Sequence, residues 1–491
     1  MTGFPFRSVL VANRGEIAVR ILRTVREQGL TGAVVHHAVD TDTPAVRAAD
    51  IAIEVTGPSP VAAYLDGDQI IEAARAAGIG AIHPGYGFLS ENSGFARRVA
   101  EAGMVFIGPT PEAIELMGDK VRAARFVAEH GFPVVPKAVE DDDPASFLAR
   151  ARALGPPLLI KPAAGGGGKG MRIVRDLAQL EAECDRARSE AQRYFGDGRL
   201  YMERYIERPR HIEVQVLGDA QGNVIHLFER ECSIQRRFQK IVEETPSPAL
   251  SPQTRREICE TAAGIARAAG YRNAGTIEFI YGRDGFYFLE MNTRLQVEHP
   301  VTEAVTGVDL VLQQLRVAAG EPLGFGQEAV AVSGHALELR LYAEDPARGF
   351  SPTTGRILAW SPPPGVRVDA GVALGSRVTT AFDPMLAKVI VHGADRAEAI
   401  AKAQQAMHDL VVLGCRTNAG FLARLLRDPD FAAGELHTGL IDEKPALALD
   451  EPIDAETAAR VLGLAAQALR PIADAAGAAP ALHRAMGGWR N

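Results

Sequence analysis

Between Gly275 and Pro300 the chain reads GTIEFIYGRDGFYFLEMNTRLQVEHP, and this stretch gathers residues whose types and spacing could do chemistry. Polar and apolar residues alternate in Thr276-Ile277-Glu278-Phe279-Ile280 and again from Phe286 to Asn292. That is the period of strands with one apolar and one polar face. Arg283-Asp284-Gly285 between them predicts a three-residue turn with glycine in the left-handed position. In that register Glu278 and Glu290 sit directly opposite each other, with Asn292 one pleat further along the same face. Two carboxylates held together repel unless a cation neutralises them, and Mg²⁺ does so using one or two carboxylates plus substrate phosphates. Arg294, Gln296 and Glu298 follow: a cation, a neutral hydrogen-bonder and a candidate base. The chemistry predicted is a metal–phosphate site with an acid–base residue beside it. Charged residues alternating on a strand are more often a solvated face. Here, however, Phe, Leu, Met and Ile bury the opposite face, and the polar run continues into an anion-friendly loop.

The elements that must position this hairpin divide into regions. Residues 1–115 alternate strand and helix signals: the buried strand Ser8–Ala12, the turn Asn13-Arg14-Gly15, a helix over Glu16–Gln28, then strands at Gly32–Val35 and Val105–Gly108. This predicts an α/β domain with a parallel sheet. Asn13-Arg14-Gly15-Glu16 lies at the carboxyl end of its strand, where open α/β sheets place ligands, but no GxGxxG pattern supports a dinucleotide site.

In a second region, residues 116–332, a helix over Asp119–His130 leads to the short apolar strand Leu158–Pro162, which carries Lys161. Gly165, Gly166, Gly167, Gly168, Lys169 and Gly170 follow, and then the strand Met171–Val174. Glycines between two strands let backbone N–H groups approach phosphate. We read a mobile phosphate lid over about 132–204. It is not a Walker A loop, because no helix with Ser or Thr follows Lys169. Arg210–Val216 alternates, with His211, Glu213 and Gln215 on one face. The run Glu229–Lys240 mixes charges of both signs, for which an exposed face is the default expectation. Residues 333–443, rich in Gly/Pro turns, predict a β-rich antiparallel region, and 444–491 an alanine-rich tail with a helix over Glu456–Leu469.

With 491 residues, about two to four domains are expected. A net charge of −8 argues against nucleic-acid binding driven by basicity. Cys184, Cys232, Cys259 and Cys415 show no CxxC spacing, so neither a zinc site nor a disulfide framework is expected. No segment has the length of a transmembrane helix or the pattern of a signal peptide, and a cytoplasmic location is expected.

Five motifs in order carry a resemblance to a known family. Asn13–Ala18, His83–Asn92, the glycine loop, Glu231–Arg237 and Glu290–Pro300 together resemble biotin carboxylase, the ATP-grasp component of biotin-dependent carboxylases, over about residues 5–443. The resemblance implies a multidomain fold mixing α/β and α+β parts: an N-terminal α/β domain, an ATP-grasp module with its lid, and a C-terminal β-rich domain. It also implies a reaction in which ATP phosphorylates bicarbonate to carboxyphosphate, whose CO₂ is passed to biotin. By this resemblance Glu278, Glu290 and Asn292 match metal positions for Mg²⁺ or Mn²⁺. Lys120, Lys161 and the glycine loop match contacts to ATP. Glu203, Arg204, Ile206, His211 and Gln235 match positions around adenine and ribose. Lys240, Arg294, Gln296 and Val297 resemble the bicarbonate pocket. Glu298 matches the general base, which is expected to need a neighbouring anion or low dielectric to raise its pKa. Arg340 matches the residue that stabilises the biotin enolate, and Tyr86 one beside the ureido ring.

The sequence departs from the family pattern at Phe238, where a polar residue is common, at Arg204 in place of lysine, and at Ala163-Ala164 before the lid. No Ala-Met-Lys-Met tetrapeptide occurs, so a separate biotin carrier and carboxyltransferase are expected, unless the chain is part of a longer one. A homodimer is also expected. Two further readings stay open from the sequence: another ATP-grasp ligase that forms an acyl phosphate, and an inactive scaffold, for which Phe238 is the support.

Overall fold

The computed structural model describes residues 3–140, 144–162, 171–195, 198–450 and 454–463. Gly165–Gly168, Lys169 and Ala163-Ala164 lie outside the described residues, as does the 464–469 part of the expected tail helix. The chain divides into two units, Met1–Leu447 and Ala448–Asn491. In the second, residues 455–463 are helical.

At the N-terminus, strands β1 (Ser8–Val11), β2 (Thr31–His36), β3 (Ile51–Glu54), β4 (Ala81–His83) and β5 (Val105–Phe106) form a parallel sheet ordered β3-β2-β1-β4-β5. β1 is buried along its whole length, as a strand covered on both faces must be. The strand order reverses between β1 and β4, so the crevice beyond their carboxyl ends is where this architecture holds ligands. Asn13 leaves β1 there and donates through Nδ2 to the carbonyls of Pro84 and Tyr86, each at 2.7 Å, tying the two loops together. Gly85 has φ +64°, and a Cβ would sit 2.8 Å from Asn13 Nδ2, so only glycine fits this turn.

His83 anchors the same turn from below. Its Nδ1 accepts from the Gly85 N–H at 3.0 Å, which leaves the proton on Nε2, 3.1 Å from Gln314 Oε1. Full burial pushes its pKa down to about 4. The unfolded chain therefore binds this proton more readily, and His83 makes stability rise with pH between about 4 and 6.5. At 1.36 kcal/mol per pKa unit this contribution reaches up to about 3 kcal/mol. Denaturant midpoints between pH 5 and 7 should accordingly change less in His83→Gln than in the parent.

Strands β6 (Lys137–Val139), β7 (Leu158–Pro162), β8 (Arg172–Val174) and β9 (Leu200–Arg204) make a small antiparallel sheet ordered β6-β9-β7-β8. The glycine loop connects β7 to β8, which pair as the expected hairpin, Leu158 opposite Val174. Phe147, Leu158, Ile160, Leu180, Leu200 and Met202 form the core of this part.

The largest sheet is antiparallel and eight-stranded. It comprises β10 (Arg210–Gly218), β11 (Val224–Arg236), β12 (Gln239–Thr245), β13 (Asn273–Gly282), β14 (Gly285–Asn292), β15 (His335–Tyr342), β16 (Arg367–Ala370) and β17 (Met385–Gly393). Their order is β14-β13-β10-β11-β12-β15-β17-β16. The sheet runs on across residue 333, because β12 pairs with β15, Val242 opposite Leu339. The period-two pattern sends Ile212, Val214, Ile277 and Phe279 against the helix Pro252–Ala268, where Ile258 and Ile265 meet them. Each such side chain contributes about 1.5–3 kcal/mol when fully buried.

The hairpin register is as predicted, with Glu278 opposite Glu290 and Thr276 opposite Asn292. The turn is not. Gly282 pairs with Gly285, so Arg283 and Asp284 alone form the loop, and Gly285, at φ +123°, belongs to the strand. A two-residue turn by itself would set Glu278 against Leu289. A bulge between Glu278 and Phe279 adds one residue on β14 and restores the pairing. The shorter turn and the inserted residue cancel.

The run Glu229–Lys240 also departs from expectation. It forms the β11–β12 hairpin, and Glu229, Arg230, Glu231, Ser233, Gln235 and Arg236 are all buried. Burial is possible because neighbouring strands bring partners of opposite sign: Arg230 faces Glu213 on β10, and Glu231 lies 3.4 Å from Arg210. Phe238, at the hairpin tip, is 95% exposed.

Candidate functional site

The polar face of the large sheet carries a ladder of charges: Glu290, Glu278, Glu213 and Arg230 lie on consecutive strands β14, β13, β10 and β11. The helix His299–Thr306 packs on this face, and Glu298 immediately precedes it. A cavity of about 1040 Å³ opens above the ladder. Its lining includes Tyr86, Lys120, His211, Gln235, Lys240, Glu278, Glu290, Asn292, Arg294, Gln296, Val297 and Arg340, so residues scattered over 86–340 converge on one space.

Lys240 is the hub. Its Nζ lies 2.6 Å from Glu213, 2.8 Å from Glu278 and 2.7 Å from Glu298. Burial alone pushes an ammonium's pKa down, but here the three carboxylates lift it well above its ordinary value. Glu278 is held on both oxygens: Oε1 accepts from Lys240 and, at 2.9 Å, from Asn292 Nδ2, while Oε2 lies 2.8 Å from His211 Nε2. Burial pushes Glu278 up, yet Lys240 and His211 outweigh it and hold its carboxyl well below the usual range.

Glu298 is fully buried between Lys240 and Arg340, the latter at 2.9 Å. Burial pushes its pKa up, but Lys240, Arg340 and Arg230 together hold it well below the ordinary carboxylate value. This overturns the expectation of a raised pKa, because three cations surround the group instead of an anion. Glu298 is thus ionised and able to accept a proton. Its basicity rises whenever an incoming anion draws Lys240 or Arg340 away.

Arg294 is spread over three acceptors, Glu91, Asn292 and Gln296, each at 3.0 Å. Lys120 pairs with Glu290 at the cavity mouth, and its own side chain is largely exposed. Tyr86 donates through its hydroxyl to Glu16. Lys388, fully buried on β17, lies 3.2 Å from Glu16 and donates to the Val297 carbonyl at 2.7 Å. Val297 itself lines the cavity.

Other predicted residues stand apart from the cavity lining. Lys161 and Glu203 pair with each other across β7 and β9. Arg204 reaches Asp284 at 3.6 Å and the Leu154 carbonyl at 3.1 Å. Ile206 packs over Gly282, where a Cβ would come within 2.4 Å of its Cγ2. Residues missed by motif reasoning include Glu91, Arg230, Glu243 and Lys388. Arg230 sat in a charged run assigned to solvent, and Lys388 in an apolar strand with no local signal. Glu16 and Glu91 lay inside quoted motifs without an assigned role.

The donors Glu278, Glu290 and Asn292 are hard oxygens facing one another on a single hairpin, which suits Mg²⁺ or Mn²⁺. Glu290, whose one ion pair among the described residues is with the exposed Lys120, is the donor most readily released to a metal. Two other groups of ligand-type atoms occur among the described residues, His211/Glu213/Glu278 and Glu213/Cys232/Glu298. Lys240 contacts carboxylates of both, so a protein cation already serves them.

The fold and the site define an ATP-grasp type of ligase. Family models match nearly end to end: Biotin carboxylase, N-terminal domain, over 5–114; Carbamoyl-phosphate synthase L chain, ATP binding domain, over 119–325; and Biotin carboxylase C-terminal domain over 338–443. The chain is 46% identical over 443 residues to one of the subunits of pyruvate carboxylase from Methanothermobacter thermautotrophicus, covering 89% of this chain and 90% of that protein. It is 47% identical over 444 residues to biotin carboxylase of a Nostoc species, covering 89% and 99%. Against the alpha subunit of the mitochondrial methylcrotonoyl-CoA carboxylase of Arabidopsis thaliana it is 47% identical over 456 residues, covering 91% of this chain but 62% of that longer protein. Among solved structures, the biotin carboxylase domain dimer of Hydrogenobacter thermophilus 2-oxoglutarate carboxylase, in complex with MgADP, ADP and bicarbonate, matches with a TM-score of 0.81 and 42% identity, covering 91% of this chain and 99% of that one. The chain belongs to the biotin carboxylase family, whose reaction is the ATP-dependent carboxylation of biotin, the first half-reaction of biotin-dependent carboxylases.

Proposed function

We propose that this chain uses ATP and bicarbonate to carboxylate biotin presented on a separate carrier protein. The observation that carries this reading is Glu298, ionised and buried against Lys240 and Arg340, which both line the cavity, and one short loop from the Glu278/Glu290 pair. Arg294, Gln296 and the Val297 N–H hold the bicarbonate anion. Glu298 takes its proton, and the freed oxygen attacks the γ-phosphorus of ATP, giving carboxyphosphate and ADP. Lys120, Lys161 and His211 bind and orient the nucleotide. Glu278, Glu290 and Asn292 would hold Mg²⁺ or Mn²⁺, which neutralises phosphate charge when bound. Carboxyphosphate then breaks to CO₂ and phosphate, the phosphate removes the N1′ proton of biotin, and N1′ attacks CO₂. Arg340 stabilises the negative charge that develops on the ureido oxygen, and Tyr86, fixed by Glu16, sits beside the ring.

The carrier, a carboxyltransferase and a second copy of this chain are the proposed partners. The names of the relatives divide between pyruvate and methylcrotonoyl-CoA, so the final acceptor is assigned to the carboxyltransferase. Steady-state ATP hydrolysis, measured with and without bicarbonate and free biotin, tests the reading. Turnover is expected to require bicarbonate and to rise with biotin; turnover indifferent to bicarbonate would sink it.

A further inference from the structure

Behind Arg340 lies a pair of acids that the reaction above does not use. Glu243 on β12 and Glu338 on β15 stand directly opposite each other across the sheet, and both are fully buried. Side chains so placed have Cβ atoms about 4.5–5.5 Å apart, and like charges there repel. No well-aligned hydrogen bond reaches any of their four carboxylate oxygens. Among the described residues their one ion pair is that between Arg340 Nη2 and Glu243 Oε1, at 2.5 Å.

The charges that face them do not balance two anions. Glu243 is faced by Arg340 from β15, Lys240 from its own strand and Glu298 from the start of the covering helix. Glu338 is faced by Lys388 from β17, Arg340 from its own strand, Glu243 and Glu298. These cations already have other partners: Lys240 serves Glu213, Glu278 and Glu298; Arg340 serves Glu298; Lys388 serves Glu16. Arg230 is taken by Glu213, and Asp369, which also faces Lys388, is held by Arg367 at 2.7 Å. Arg230, Lys240, Arg340, Lys388 and the His211 beside Glu278 thus confront Glu16, Glu213, Glu243, Glu278, Glu298 and Glu338. Five partners for six buried carboxylates leave one short, and an uncompensated buried carboxylate is far costlier than one that carries a proton.

We propose that Glu243 and Glu338 share a single proton and act as one positioning pair, holding Arg340 aimed at the cavity while Glu298 changes charge. Burial supports this, lifting Glu338 well above its ordinary value and Glu243 to about 7, so the pair keeps one proton above neutrality and takes up a second near pH 7. The need for the pair follows from the proposed reaction, on which its role rests. When Glu298 accepts the bicarbonate proton it becomes neutral and loses its hold on Arg340. Glu243 then remains as the anion fixing the guanidinium just as charge develops on biotin. The shared proton is neither consumed nor released in turnover.

Infrared spectra and steady-state assays on the whole chain with free biotin test this. Above neutral pH the parent should show the C=O stretch of a buried protonated carboxyl, and Glu338→Gln, a neutral replacement for a neutral acid, should lose that band while keeping turnover within about threefold. Glu243→Gln should keep bicarbonate-dependent ATP cleavage without biotin within about threefold, yet lose at least tenfold of the biotin-stimulated rate. The parent's biotin-stimulated rate should also fall as pH drops through about 7, a limb absent from Glu243→Gln. If Glu243→Gln does not fold, Glu243→Asp, which keeps the charge but withdraws it, should show the same selective loss at smaller size. Identical infrared spectra of the parent and Glu338→Gln overturn the shared proton. Parent-like biotin stimulation in Glu243→Gln, or in Glu243→Asp where that one is used, overturns the positioning role. A parent enzyme that biotin does not stimulate refutes the functional reading instead, and the infrared comparison still decides the proton.

Discussion

Glu298→Gln should lower bicarbonate-dependent ATP turnover by at least about 10²-fold, the lower end of what a positioned general base contributes. The glutamine amide fills the same volume but cannot take a proton from bicarbonate. It also leaves Lys240 and Arg340 facing a neutral amide in place of their shared anion. Nucleotide affinity should survive, because Lys120 and His211 are untouched, and an equilibrium ADP titration checks that the loss lies in chemistry. The pH profile adds a second check. The pKa of Glu298 is depressed in the folded state, so its charge and its contribution to stability are present above the ordinary carboxylate pKa and are lost only as pH falls below it. Any acid limb seen near neutrality in kcat/KM for bicarbonate, which reports the free enzyme, therefore belongs to another group. A Glu298→Gln enzyme retaining a tenth of parental turnover would remove this residue from the chemistry.

Lys240→Met should cost both activity and stability. One ammonium holds Glu213, Glu278 and Glu298, all of them buried, and removing it leaves three carboxylates short of a cation. Breaking a buried ion pair from one side typically costs about 3–5 kcal/mol, read as a fall in the denaturant midpoint. The sign of the pH dependence is diagnostic. Burial pushes the Glu278 and Glu298 carboxyls up, and without Lys240, the first of the cations holding them down, their folded-state pKa values rise above those of the parent. The deficit should therefore be largest at high pH and shrink as pH falls toward the carboxylate range. Lys240→Arg restores a cation and should recover much of the midpoint. Its planar fork cannot place one charge among three converging carboxylates, so turnover should stay at least tenfold down. A Lys240→Met protein as stable as its parent at pH 8 would mean that the three carboxylates are neutralised by other means.

Local pattern made a good part of this legible. The hairpin register, the pairing of β7 with β8 and the parallel N-terminal sheet all rest on period-two alternation or on strand–helix alternation, which depend on neighbours in sequence. The turn at Arg283-Asp284 was misread because a bulge at Leu289 leaves the same residues opposite each other, and alternation alone cannot tell the two arrangements apart. The charged run Glu229–Lys240 was misread because whether a charge is buried depends on what the adjacent strand carries, and Glu213 lies on a different strand. The pKa of Glu298 was expected to move the wrong way for the same reason: Lys240, Arg340 and Arg230 come from three separate strands.

What the sequence determined by itself is the set of candidate site residues, since Glu278, Glu290, Asn292, Arg294, Gln296 and Glu298 lie on one hairpin and its loop, where spacing settles which residues are neighbours. Only the tertiary structure decided their charge states and supports. Lys240, Arg340, Lys388 and the Glu243/Glu338 pair meet this loop through strand pairings distant in the chain. In a buried site the protonation of each group is set by the sum of all charges around it, and that sum exists only once the sheet has closed.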